Sequence, residues 1–185
     1  MNLKVIMYAL VGLGLAATIH QTALAAPKEK PSAEVEAKIT AALNAAYPDV
    51  VIIKMGKETE DGLSFVGVTL TSKGNKMDAD VTEDGTIVGT EEAADISIVP
   101  KPAAEALKKA TKGMTTKSIE IAKTYAEADK NDKSGTKAVK LAQPTVAYEA
   151  DVVKDGQKGE FSVSADGTIL ESPKWAKSGS KEDKE

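Results

Sequence analysis

The sequence predicts an α+β fold of two tandem units, each a helix packed on an antiparallel β-meander. Three observations carry this expectation. Asp84-Gly85-Thr86-Ile87 returns as Asp166-Gly167-Thr168-Ile169, an offset of 82 residues. Read backwards from there, Gly74 falls on Gly156, Lys76 on Lys158, Val81 on Val163, Leu70 on Val152 and Val66 on Tyr148 without a gap. Upstream, Lys30-Pro31-Ser32-Ala33-Glu34 matches Lys101-Pro102-Ala103-Ala104-Glu105 at an offset of 71, so the second copy gains 11 residues between the two anchors. Two matches in the same order point to a duplicated supersecondary unit.

The chain begins with a segment that lies outside that fold. Lys4 supplies a positive n-region, Val5 to Ile19 is apolar apart from Thr18, and Ala23-Leu24-Ala25 fits a small-x-small cleavage site. Residues 1–25 therefore read as a secretory signal peptide with Ala26 as the first mature residue. The apolar run is short for a membrane span, so no stable membrane insertion is expected after cleavage. The chain has no cysteine, which removes disulfides and a lipidated cysteine. Secretion without disulfides fits a bacterial envelope, periplasmic or secreted.

Residues 26–30 form a charged leader. The first unit, 31–99, opens with Pro31 in the first turn of a helix. Val35, Ile39, Ala42, Leu43 and Ala46 make one apolar stripe, and Tyr47-Pro48 ends the helix because a residue before proline leaves the α region. Val50 to Met55 is β-branched and apolar, as a strand requires. After the Glu60-Asp61-Gly62 turn, Val66, Val68 and Leu70 share one face while Gly67, Thr69 and Thr71 take the other. Lys73-Gly74-Asn75 turns the chain, Met77, Ala79 and Val81 alternate with Asp78, Asp80 and Thr82, and Asp84-Gly85 turns it again into a short strand at Ile87 and Val88.

The second unit spans 100–175. Ile96 and Ile98 extend a strand in the connector before it. Its helix starts at Pro102, with Ala103, Ala106, Leu107, Ala110 and Met114 on one face and Gly113 near the end. Ser118 to Ala128 reads as a strand, and Asp129 to Lys137 as a loop holding much of the insertion. Val146, Tyr148, Ala150 and Val152 make one strand face. Asp155-Gly156 turns, Phe161 and Val163 point inward, and Asp166-Gly167 turns again before Ile169 and Leu170. Trp175 caps the sheet or packs between units, and 176–185 is a polar tail too poor in apolar residues to order itself. The units share one sheet or stand as two domains; the sequence leaves both open.

Tyr148-Glu149, Asp151-Val152, Asp155-Gly156, Phe161, Val163 and Asp166-Gly167-Thr168-Ile169-Leu170, preceded by a proline-opened helix, resemble a PepSY-like module. The first copy is a weaker match, with Phe65-Val66-Gly67-Val68-Thr69-Leu70 in place of the Tyr-Glu strand. The whole is similar to the secreted, tandem, beta-lactamase-inhibitor-like members of that group. The resemblance implies helices on an antiparallel sheet, a periplasmic or extracellular setting, and binding rather than catalysis. Peptidase inhibition is the activity proposed for such modules in general. The matching residues are turn and core residues and transfer no site.

Composition narrows the chemistry further. The formal net charge is −4, and −5 without residues 1–25. Every basic residue is lysine, and a mildly acidic chain without arginine is a poor nucleic-acid binder. The single histidine, His20, lies in the signal peptide, so the mature chain lacks His, Cys and Arg. That removes Ser-His-Asp and Cys-His systems and the usual zinc and haem ligands. Asp129-Lys130-Asn131-Asp132-Lys133-Ser134-Gly135 fails as a calcium loop, with Lys133 at position 5, Gly at 7 and Lys140 at 12. No catalytic, cofactor or metal residues are expected, and no cofactor.

The outward sheet face is the candidate binding site. By alternation it carries Asp78 and Asp80 in the first unit and Glu149, Asp151 and Glu160 in the second. Such a face suits a basic protein partner; it is also simply what a sheet covered on one side shows to water. The function expected is a non-catalytic protein-binding module of the envelope, with inhibition of a secreted or periplasmic enzyme such as a peptidase as its specific form. A structural or folding-support protein and a weak cation binder are the alternatives.

Overall fold

The computed structural model describes residues 29–60, 62–173 and 175–177. The expected signal peptide and most of the expected leader and polar tail lie outside them. Helix α1 (Ala33–Ala46) is followed by β1 (Val51–Glu60), β2 (Leu63–Ser72), β3 (Asn75–Val81) and β4 (Ile87–Ala93). A 3-10 turn at Ile96–Ile98 leads into α2 (Lys101–Ala110). Then come β5 (Thr115–Ala128), β6 (Ala138–Lys154), β7 (Gln157–Ser164), β8 (Ile169–Glu171) and β9 (Ala176–Lys177). All strands belong to one antiparallel sheet ordered β1 to β8, with β9 pairing on β7. The open question of one sheet or two is thus decided for one: β4 pairs with β5 from Gly89↔Thr124 to Ala93↔Glu120.

The helices sit where their apolar residues find the sheet. Ser32 caps α1, its Oγ accepting from the Val35 N–H at 3.4 Å, and the chain leaves the helix at Tyr47 in an extended conformation before Pro48. Ile39 and Leu43 are fully buried against Val66, Val68, Leu70, Met77, Ala79 and Val81. Ala46, the last residue of the expected stripe, is exposed. On the same face, Ala103, Ala104 and Leu107 of α2 pack on Ala150, Val152, Phe161 and Val163. Gly113, at φ +82, follows the helix in the conformation that suits glycine.

The turns 82 residues apart are built alike. Lys73-Gly74 and Asp155-Gly156 both have positive φ at each residue, the two-residue hairpin turn that matches strand twist. At the next turn, Thr82 Oγ1 donates to Asp84 Oδ1, as Ser164 Oγ does to Asp166 Oδ1. The Thr86 and Thr168 N–H groups each donate to that aspartate at 3.0 Å. Gly85 faces Lys38 and Ala42 of α1; Gly167 faces Pro102 and Ala106 of α2. Those helix positions differ by 64, so the Lys-Pro match at 71 does not mark residues that pack alike. Pro31 precedes α1, whereas Pro102 lies inside the first turn of α2.

Three further expectations change. Ile96 and Ile98 do not extend a strand: Asp95 Oδ1 accepts from the Ser97 N–H at 2.8 Å and caps a 3-10 turn. Val139 and Leu141 are not a separate short stretch, because β6 runs through Pro144. The register between β5 and β6 jumps from Thr124↔Thr145 to Ala126↔Lys140, and Pro144 falls in that irregularity, where no ladder N–H is needed. The tail expected to stay unordered from residue 176 begins as β9, paired with β7; Trp175 takes the first of its two expected places, lying with Pro173 on Gly159 of the sheet, where a Cβ would meet both side chains within 3 Å.

The outward face is not simply open to water. Beyond the irregularity, the β5–β6 hairpin arches back until the Ser64 N–H donates to Gly135 O at 2.6 Å. Leu63 and Phe65 of β2 and Val88 of β4 are buried there with Ala128 and Ala138 beside them. Since β3 and β4 lie between β2 and β5 in the sheet, this contact curls the sheet around its outward face. The predicted 129–137 loop is thus the tip of an arch. Its Asp132 holds it in shape by accepting from the Ser134, Thr136 and Lys137 N–H groups. The Ser134 hydroxyl, donating to Asp132 Oδ1 at 2.6 Å, leads these hydrogen bonds in keeping the carboxyl well below its usual range.

Leu43→Ala and Leu107→Ala are each expected to lower stability by about 2–5 kcal/mol in urea denaturation, because both side chains are fully enclosed. Gly135→Ala tests the arch separately. Its Cβ would collide with Gly62 O, so hydrogen exchange at the Ser64 amide should quicken roughly tenfold or more while both helical cores stay protected.

Candidate functional site

The curl and the continuous ladder together make a trough lined with carboxylates. Register places Asp78 of β3 opposite Glu91 of β4, and Glu120 of β5 opposite Glu149 of β6. Glu149 lies opposite Ser162 of β7, which faces Glu171 of β8. Asp151 faces Glu160, and Asp80 faces Gly89 nearer the arch. All five residues expected from alternation, Asp78, Asp80, Glu149, Asp151 and Glu160, share this face. Alternation in the sequence did not find Glu91, Glu120 and Glu171. Ile119 and Ile121 flank Glu120, and their alternation is the signal that could have placed it outward; the strands of Glu91 and Glu171 carry too few apolar residues to show a phase, and the β4–β5 and β7–β8 ladders fix which way they point. Lys54 and Lys76 lie on the same face towards β1, opposite Thr69 and Thr71.

Hydroxyl groups on neighbouring strands support the carboxylates. Thr69 Oγ1 donates to Asp78 Oδ1 at 2.6 Å and Ser118 Oγ to Asp151 Oδ2 at 2.6 Å. Ser162 Oγ donates to Glu149 Oε1 at 3.3 Å. Glu149 is only 5 % exposed, although it points to the face expected to meet water.

Burial and mutual repulsion raise three of these acids. Glu149 is pushed up to about 7, chiefly by burial, with Ser162 opposing and Glu120, Glu171 and Asp151 adding repulsion. Glu91 rises to about 8, again mainly by burial, then by Glu149, Asp80, Glu120 and Asp78. Glu160 rises to about 9 by burial, with Glu149, Asp151, Glu91 and Glu120 behind it. Such a row titrates as a set, sharing protons near neutral pH. Among the described residues no group of three or more acidic side chains could hold a metal ion. What it offers chemically is negative charge, shape and proton exchange.

A second hollow of about 210 Å³ opens on the helix side, beside the end of α1, lined by Tyr47, Thr90, Glu92, Ile121 and Lys123 among others. Tyr47 Oη lies 3.2 Å from Tyr125 Oη, and burial followed by this bond pushes the Tyr47 phenol up to about 12. No sequence feature pointed to this hollow, since its residues come from four separate elements.

No family model matches the chain, and no curated protein does. Solved structures do match in fold. A BLIP-like protein from Bacteroides fragilis aligns with a TM-score of 0.52 at 16% identity, over 79% of this chain and 89% of that one. A protein described as periplasmic from Bacteroides eggerthii aligns with a TM-score of 0.54 at 11% identity, over 80% and 89%. A DUF2874 family protein from Bacteroides uniformis gives 0.52 at 12%, over 73% and 86%. At these identities the likeness is one of fold: the chain has a BLIP-like α+β fold. Among the described residues no helix is long and apolar enough to cross a membrane.

The raised acids set the direction of pH dependence. A carboxyl that ionises later in the folded chain than in the unfolded chain leaves the folded state holding more protons, so stability falls as pH rises. The fall should begin near the ordinary glutamate range and continue through about 7, 8 and 9, the values for Glu149, Glu91 and Glu160. Glu149→Gln should raise stability by roughly 1–3 kcal/mol at about pH 8 and change little at about pH 4. Urea titrations of both proteins across that range check this; a stability that rises with pH over it would refute the assignment.

Proposed function

We propose that the chain is an exported, non-catalytic protein-binding module of the bacterial envelope, and that it docks its partner on the acidic trough. Inhibition of a secreted or periplasmic enzyme, such as a peptidase, is the specific form we favour. The observation that carries the reading is Glu149, a carboxylate 5 % exposed on a curved face among Glu91, Glu120 and Glu160. Holding like charges together out of water destabilises the free protein. A basic partner relieves that penalty, and the relief contributes to binding and to its specificity.

Other observations support it. Without His, Cys or Arg after residue 25, the chain is short of the groups used in most hydrolytic and metal chemistry. The similar folds include a BLIP-like protein and one described as periplasmic. The signal peptide, cut after Ala25, is the route of export in this reading. We take 31–99 and 100–175 as two PepSY-like copies of one unit; the matching hydrogen bonds at 82–86 and 164–168 favour this.

The test is a pull-down from the host's periplasmic and secreted fractions with the chain from Ala26, followed by binding measurements on the retained protein. One dominant partner, released by salt, is expected. Asp80→Ala with Glu149→Ala should weaken it about tenfold or more without changing the circular dichroism spectrum. Unchanged affinity would reject the acidic trough as the docking face. A diffuse set of weak partners would favour the structural or folding-support role instead.

A further inference from the structure

The floor of the trough contains one acceptor that the fold leaves without a donor. Oε1 of Glu149 is held by Ser162, but Oε2 is buried with no hydrogen-bond partner among the described residues. Buried acceptors in that state are uncommon and destabilising. Acidic groups surround Glu149: Glu91 from β4, Glu120 from β5, Asp151 on its own strand, Glu160 from β7 and Glu171 from β8. Asp78 and Asp80 of β3 flank Glu91 on its far side.

We propose that Glu149, with Glu91 and Glu160 beside it, is a subsite for one cationic side chain of the docking protein, a lysine or an arginine whose N–H groups reach Oε2. This rests on the protein-binding reading of the trough and names the group that the trough takes. Three features select the ligand. The negative charge of the row requires a cation. Glu149 and Glu160 sit on adjacent strands about 5 Å apart, and Glu91 lies two strands from Glu149, about 10 Å along the ladder; among the described residues no three acidic side chains could hold a metal ion. An ammonium or guanidinium carries several N–H donors, so one serves Oε2 while the others face the flanking carboxylates. Because Oε2 lies below the surface, the cation must arrive on a slender apolar stem, as lysine and arginine heads do.

Docking is then coupled to protons. Near neutral pH the row carries protons, since Glu149, Glu91 and Glu160 are pushed up to about 7, 8 and 9. A cation favours the ionised carboxylates, so its entry releases protons and binding strengthens as pH rises through that range.

The test uses Nα-acetyl-lysine amide and its uncharged counterpart Nα-acetyl-norleucine amide, titrated into the chain from Ala26. Glutamate carboxyl resonances and calorimetry in two buffers of different ionisation enthalpy provide the readouts. The lysine probe should shift the Glu149 carboxyl signal, release protons, and bind about tenfold more tightly near pH 8 than near pH 6; the norleucine probe should do none of these. Glu149→Gln should lower affinity for the lysine probe about tenfold near pH 8, and Glu149→Asp should recover part of it. Equal responses to the two probes, affinity independent of pH, or full-strength binding by E149Q would overturn the subsite. The two readings separate cleanly. A protein that docks on the trough equally well with wild type and E149Q overturns the subsite and leaves the protein-binding reading standing. A lysine probe that binds as expected to a chain retaining no envelope protein supports the subsite and sinks that reading.

Discussion

The ladder between β4 and β5 is the constraint on which the rest depends. Five register pairs, Gly89↔Thr124 to Ala93↔Glu120, join the strands that follow α1 to those that follow α2. Without them the two helical cores would be separate, with two sheet edges left unpaired between them. With them, both helices lie on one side, and the polar residues of both halves fall on one surface. Glu91 and Glu120 belong to the joining strands themselves, so the seam also completes the acidic row.

The outer edges are handled differently from this seam. On β1 the Lys57 N–H donates to Glu29 O at 2.8 Å, so the leader covers part of the edge, and an irregularity between Ile52 and Lys54 breaks the regular ladder. At the other end β8 has three residues, and β9 takes up part of the free side of β7. Short, irregular or covered edges discourage pairing with other chains.

Much of the architecture was legible in the sequence because it rests on local physics. The Ile39–Leu43 stripe, the proline after Tyr47, the positive-φ turns at Gly74 and Gly156, and the alternation through Val66 and Val152 each act within a few residues. The five acidic residues of the candidate site followed from the same alternation. What stayed hidden was non-local. The burial of Glu149 depends on curvature, and curvature depends on the arch meeting Ser64, some 70 residues away in sequence. Glu91 sits in a strand whose phase only its partners determine. The match at Lys30 and Lys101 misled for the opposite reason: a proline near a helix start is common enough to recur without the same packing role.

The chain holds a single tryptophan, and it stands at the margin of the fold. Trp175 is 37 % exposed and lies on Gly159 beside β9, next to Val152 at the rim of the α2 core. Its fluorescence therefore watches the C-terminal strand settle on β7, whereas far-ultraviolet dichroism watches the ladder as a whole. If the C-terminal strand leaves before the sheet melts, the emission changes while the backbone signal stays flat, and the optical record splits into two transitions. For this molecule, the choice of probe decides which unfolding event an experimenter sees.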